Sequence, residues 1–148
     1  MCDLPFVGKV VVVSDATTVL LIDDDPQYRE YYAQRLHSSL ANYDVVEAAT
    51  GRSGLDTCAR QPIDCVVLEI DLPDMSGFEV LAKLVPRTYR PEIAVVVLTR
   101  LPNRFLLDLA MKNGARAAFQ KTVGIGDLLE ESILKAIATV QRLHGLVS

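Results

Sequence analysis

Four stretches of this chain end in side chains that could do chemistry together. The apolar run Val19 to Ile22 ends in Asp23, Asp24 and Asp25. A second run, Cys65 to Leu68, ends at Glu69, followed by Asp71, Pro73 and the turn Met75-Ser76-Gly77. Ile93 to Leu98 ends at Thr99, and Ala117 to Gln120 ends at Lys121. Carboxylates crowded together raise one another's pKa unless a cation sits among them. Mg²⁺ prefers oxygen ligands, keeps several waters and takes one or two carboxylates. Asp23, Asp24 and Glu69 are therefore candidate metal ligands, and such an ion could neutralise a phosphoryl group in transfer. Lys121 offers a point charge to a phosphoryl oxygen and Thr99 a hydroxyl donor to another. Phosphoryl transfer asks mainly for this positioning and charge neutralisation. Each residue alone has a plainer reading: a solvated turn acid, a strand-end hydroxyl, a surface lysine. The shared position at the ends of apolar runs favours the set.

The elements that would position these residues repeat from Val19 as apolar strand, loop and amphipathic helix. After the first strand, Asp25 and Pro26 fit an N-cap followed by proline at the first helical position. Tyr28, Tyr32, Leu36 and Leu40 then recur at intervals of four, a helical stripe. Asp44 to Ala48 reads as strand 2, and Ser53 to Arg60 as a short helix with Leu55 and Ala59 inward. Cys65 to Ile70 is strand 3, continuously apolar as a buried parallel strand should be. Phe78 to Val85 is the third helix, closed by Pro86, and Ile93 to Leu98 is strand 4. Arg104 to Asn113 is the fourth helix, with Gly114 in the usual C-terminal place. Ala117 to Gln120 is strand 5, and Asp127 to Leu143 the last helix, with Leu129, Ile133, Ala136, Ile137 and Val140 inward. Strands alternating with helices predict an α/β sandwich of three layers: a five-stranded parallel sheet with helices on both faces. Right-handed crossovers and the flavodoxin-like order 2-1-3-4-5 put the switch point between strands 1 and 3, the two that end in acids.

Residues 1–17 stand apart. Val10 to Val13 reads either as an added edge strand or as the tail of a preceding domain. Residues 18–148 make one domain, a size that suits a chain of 148 residues. A net charge of −4 without a basic patch argues against a nucleic-acid partner. No apolar run approaches the roughly 18 residues of a membrane span, and the N-terminus lacks the apolar region of a signal peptide. Cys2, Cys58 and Cys65 are too scattered for a disulfide framework or a zinc site, which fits a reducing cytoplasm. The fourth helix is apolar on more than one side, through Phe105, Leu106, Leu107, Leu109 and Met111. A single inward stripe needs fewer. The surplus marks a protein contact, with a second copy or an effector, or else burial by the N-terminal segment.

Residues 18–143 resemble the receiver domain of bacterial two-component response regulators, the CheY-like fold. The stretches that carry the resemblance are VLLIDDDPQYRE, VVLEIDLPDMSGFEVL, VVVLT and GARAAFQK, in that order and at suitable spacing. The resemblance implies a partner histidine kinase or phosphotransfer protein. It implies Mg²⁺ held by Asp23, Asp24 and the backbone carbonyl of Asp71, beside Glu69. It gives Thr99 as the hydroxyl that tracks phosphorylation and Lys121 as the contact to the phosphoryl group.

This sequence departs from the family's pattern where the chemistry would happen. The phosphoacceptor position, an aspartate in the family, holds Glu69. Arg100 stands where a small residue usually follows Thr99, and Thr122 where proline often follows the lysine. The aromatic common on strand 5 falls at Ala118, while Phe119, one position late, is expected in the core. Glutamate is one methylene longer than aspartate, so its carboxylate partly imitates the reach and charge of an acyl phosphate. The expectation is an atypical receiver, phosphorylated poorly or working as a pseudo-receiver through protein contact. Arg100 should crowd the opening, hold a phosphate or pair with Glu69. The alternative is a Mg²⁺-dependent phosphatase of the haloacid dehalogenase type. Asp23-Asp24-Asp25 contains its D-x-D, and Asp127 with Glu131 imitates its last acidic motif. Against it, Gln27 stands where Thr or Val is needed, and CVVLEIDLPDMSG would have no task.

Overall fold

The structure, a computed structural model, describes residues 16–122 and 124–147. The proposed extension 1–17 thus lies outside the described residues, apart from its last two. Thr17 already begins the first strand, one residue before the expected boundary. In chain order the elements are β1 (Thr17–Ile22), α1 (Pro26–His37), β2 (Tyr43–Ala48), α2 (Gly51–Arg60), β3 (Cys65–Leu68), α3 (Gly77–Leu84), β4 (Ala94–Thr99), α4 (Arg104–Lys112), β5 (Ala117–Gln120) and α5 (Gly126–Val147). All strand pairs are parallel and the sheet order is β2-β1-β3-β4-β5.

The central strands are apolar on both faces because both faces are covered. Successive side chains point to opposite sides of a strand. Val19, Leu21, Cys65, Val67, Val96 and Leu98 thus pack with Leu36 of α1 and Leu129 and Ile133 of α5. Leu20, Ile22, Val66, Leu68, Val95 and Val97 pack on the other side with Val80 and Leu81 of α3 and Ala110 of α4. β5 is an edge strand, and all four of its residues are only half-buried. Phe119 is accordingly packed against the core without being enclosed by it.

Four local expectations need correction. The α1 stripe stops at Leu36, because α1 ends at His37, with the Ser38 amide donating to the Gln34 carbonyl. Leu40 lies beyond that end and is fully exposed. α2 starts two residues early, since Thr50 and Ser53 cap each other's backbone. Its inner side is Gly51, Gly54, Leu55 and Cys58, so Ala59 faces out. The ladder of β3 ends at Leu68, which places Glu69 and Ile70 just past the strand. α5 continues to Val147.

Gly77 fixes how the loop after β3 returns over the strand. Its amide donates to the Ile70 carbonyl at 2.8 Å. A Cβ there would lie 2.5 Å from the Glu69 carbonyl oxygen and 2.6 Å from the Ile70 Cα. Both are backbone atoms that cannot rotate away. Gly77→Ala is expected to cost about 1–3 kcal/mol in urea unfolding, the range for overpacking. It should also shift the Glu69 and Ile70 amide resonances.

Candidate functional site

The ends of β1, β3, β4 and β5 bring Asp23, Glu69, Thr99 and Lys121 together, and these are the buried polar side chains of the described residues. Glu69 is 1% exposed, and its carboxylate accepts four hydrogen bonds. The Thr99 hydroxyl and the Asp71 amide, at 3.0 Å, donate to Oε2. The Lys121 ammonium, at 2.9 Å, and the Arg100 amide, at 3.2 Å, donate to Oε1. Burial pushes the Glu69 carboxyl up, but the Thr99 hydroxyl, the Asp71 amide and Lys121 outweigh it and hold it below the ordinary range.

Lys121 is enclosed on three sides. Its Nζ lies 2.5 Å from Asp23 Oδ2 and 2.9 Å from Glu69 Oε1. It also sits 4.0 Å from the centroid of the Tyr28 ring, a cation–π contact. Asp23 is oriented from the other side. The Asp25 amide donates to its Oδ1 at 2.9 Å, and Arg29 holds its carbonyl at 2.6 Å. Burial nevertheless wins at Asp23, whose carboxyl is raised despite Lys121.

Asp24 and Asp71 lie at the rim, their side chains 32% and 52% exposed. Arg100 reaches across to both. Its guanidinium is 3.3 Å from Asp24 Oδ1, 3.2 Å from Asp71 Oδ2, 3.4 Å from the Asp71 carbonyl oxygen and 3.9 Å from Glu69 Oε1. Asp25 is the α1 cap, its carboxylate accepting from the Gln27 amide.

The residues the sequence brings forward for Mg²⁺ do not fit a divalent ion as they stand. Lys121 holds Asp23, while Arg100 holds Asp24 and both the side chain and the carbonyl of Asp71. No group of three or more His, Cys, Asp or Glu among the described residues is arranged to hold a metal.

Three contributors escaped the sequence reading. Tyr28 counted only as part of a helical stripe, yet its ring covers Lys121. Arg29 faces the backbone of Asp23, and nothing in its local pattern marks it. Asp74 accepts the Gly51 and Arg52 amides, each at 2.9 Å, and ties the loop after β3 to the start of α2. An acid four residues before a helix was the one signal available for it. The last acidic motif of the phosphatase alternative is not brought to the site. Asp127 pairs with Arg35 of α1, and Glu131 pairs with Lys135 on the exposed side of α5.

A doubly wound sheet with its acids and a buried lysine at the switch point defines a CheY-like module. The chain belongs to the response regulator receiver domain family, whose sequence profile matches residues 19–132. That match leaves the phosphatase alternative without support. Receiver domains bind Mg²⁺ at this acidic position as a family. Over 68 residues the chain is 44% identical to the transcriptional regulatory protein KdpE of Mycobacterium tuberculosis, covering 46% of this chain and 29% of KdpE. Over 120 residues it is 29% identical to a protein of Thermotoga maritima named cyclic di-GMP phosphodiesterase, covering 81% of this chain and 31% of that one. It thus spans about a third of the length of these curated relatives. The solved response regulator receiver domain protein of Clostridium thermocellum is 26% identical, with a TM-score of 0.74, and covers 86% of this chain and 98% of that one.

The two buried acids differ in what they contribute. Removing one member of a buried pair typically costs about 3–5 kcal/mol, so Glu69→Gln should lie in that range at pH 7. Asp23→Asn should cost less, because burial already disfavours that charge. Glu69 has a lower pKa folded than unfolded. Its contribution is fully present above the unfolded value of about 4.3 and is lost as pH falls through the folded value. Asp23 has the opposite sign: its contribution is present at low pH and lost as pH rises through its raised value. Urea melts should show the gap between wild type and Glu69→Gln closing on acidification.

Proposed function

We propose that this chain is the receiver of a two-component phosphorelay, with a histidine kinase or phosphotransfer protein as its partner, and that Glu69 weakens its phosphoryl uptake. One observation carries the reading. The Glu69 carboxylate already holds the Thr99 hydroxyl and the Lys121 ammonium, the two groups that the family resemblance gives to the phosphoryl oxygens. The extra methylene lets the side chain reach them unmodified. A carboxylate has less charge and fewer acceptor oxygens than an acyl phosphate, so the imitation is partial. The site then rests close to its engaged arrangement, and signalling runs through protein contact.

The same methylene removes the acceptor oxygen from its place by about 1.5 Å, one C–C bond. A misplacement of about 1 Å can cost a hundredfold in such reactions. At most the domain catalyses its own phosphotransfer. Mg²⁺ is at best a weak ligand on this reading. The α4 face supplies the contact surface, for a second copy or an effector, with Phe105 68% and Met111 45% exposed. The chain is acidic, which disfavours nucleic acid as a partner of this domain, and no helix among the described residues is long and apolar enough to cross a membrane. A cytoplasmic setting suits these partners.

Mass spectrometry after treatment with acetyl phosphate and Mg²⁺ tests the reading. Wild type is expected to stay largely unlabelled, while Glu69→Asp gains label on the new aspartate. Rapid stoichiometric labelling of wild type at Glu69 would overturn the proposed block.

A further inference from the structure

The Arg100 guanidinium is not among the groups assigned to the phosphoryl oxygens, yet it is the cation that spans the rim of the pocket. Its guanidinium meets oxygens from two separate loops. Asp24 lies in the loop after β1, and Asp71 offers both its carboxylate and its carbonyl from the loop after β3. Behind them, Glu69 Oε1 is 3.9 Å away. Among the described residues, Arg100 is the cation paired with Asp24 and with Asp71. Four carboxylates therefore share two cations, with Lys121 serving the buried half and Arg100 the open half. A guanidinium suits the open half because its planar fork carries five donors and a permanent charge. It faces oxygen atoms on both sides of the gap, as a hard metal ion would.

We propose that Arg100 is the resident cation of this pocket, so that guanidinium and divalent metal exclude one another there. The inference rests on the reading of this pocket as the receiver's acidic site. It follows from geometry and charge. An ion within coordinating reach of Asp24, the Asp71 carbonyl and Glu69 would occupy the space that the guanidinium fills, and the two positive charges would repel at that separation. Arg100 also has somewhere to go. Its side chain is 38% exposed, so it can swing to solvent when a metal displaces it. The cost is the set of charge-assisted contacts to Asp24 and Asp71, which sets the concentration of metal required. Removing the guanidinium leaves those acids unneutralised and opens the space between them.

Mn²⁺ tests this directly, because it broadens nearby amide resonances without any phosphodonor. Wild type should show broadening at Asp24, Asp25, Asp71 and Leu72 only at high Mn²⁺. Arg100→Ala and Arg100→Gln should bind about tenfold more tightly, the summed worth of the two partly screened pairs to Asp24 and Asp71. Arg100→Lys should stay nearer wild type, since it keeps the charge and loses the fork. Adding Asp24→Asn to Arg100→Ala should abolish the gain. The exposed position of Arg100 makes the variants compatible with folding, and their amide spectra away from the pocket report it. Equal Mn²⁺ affinity in wild type and Arg100→Ala would overturn the proposal. So would an Arg100→Lys that binds as tightly as Arg100→Ala, because charge would then not be what excludes the metal. Phosphoryl uptake plays no part in this titration. A failed titration leaves the receiver reading in place, and a failed labelling of Glu69→Asp leaves the exclusion in place.

Discussion

The structure depends on one buried ammonium. Lys121 is almost wholly removed from water, its side chain 1% exposed, and such a charge is tolerated only with partners around it. Asp23, Glu69 and the Tyr28 ring supply them from three different elements. This requirement pins β5 to β1 and β3 across the sheet, at the end where the loops are otherwise free. The Lys121 amide, donating to the Thr99 carbonyl at 2.7 Å, sets the height at which the side chain enters. A lysine one position earlier, in place of Gln120 at the end of β5, would point to the opposite face and leave Asp23 and Glu69 without it.

Glu69 follows from the same constraint. A carboxylate this deep must have its lone pairs filled, and the ends of β4 and β5 offer three donors while the Asp71 amide of its own loop gives the fourth. With an aspartate the carboxylate would sit one bond back and could not keep all four. At its present length the Glu69 side chain is a buried carboxylate with four donors on it. The low pKa of Glu69 and the raised one of Asp23 express this division, because the first has many donors against its burial and the second has fewer.

The open rim obeys different physics. Asp24 and Asp71 are partly solvated, so their charges are screened and their contacts with Arg100 are individually modest. What gives Arg100 its grip is that several oxygens face one fork. The chain consequently carries one buried cation and one partly exposed cation at the same pocket.

Much of this was legible in the sequence. The alternation of apolar runs and helical stripes determined five strands, five helices and the parallel sheet, since burial on both faces demands continuous apolar strands. The acids, Thr99 and Lys121 stood at strand ends, and right-handed crossovers must gather those ends on one edge. Single-residue periodicity failed at Leu40 and Ala59, where helix caps decided the boundary and the inner face instead. Only the tertiary structure decided the pairing. That Lys121 serves both Asp23 and Glu69, that Tyr28 covers it, that Arg29 holds the Asp23 backbone and that Arg100 bridges Asp24 and Asp71 are relations among residues up to 98 positions apart. No local pattern encodes them, because each is set by where the loops after β1, β3, β4 and β5 meet in space.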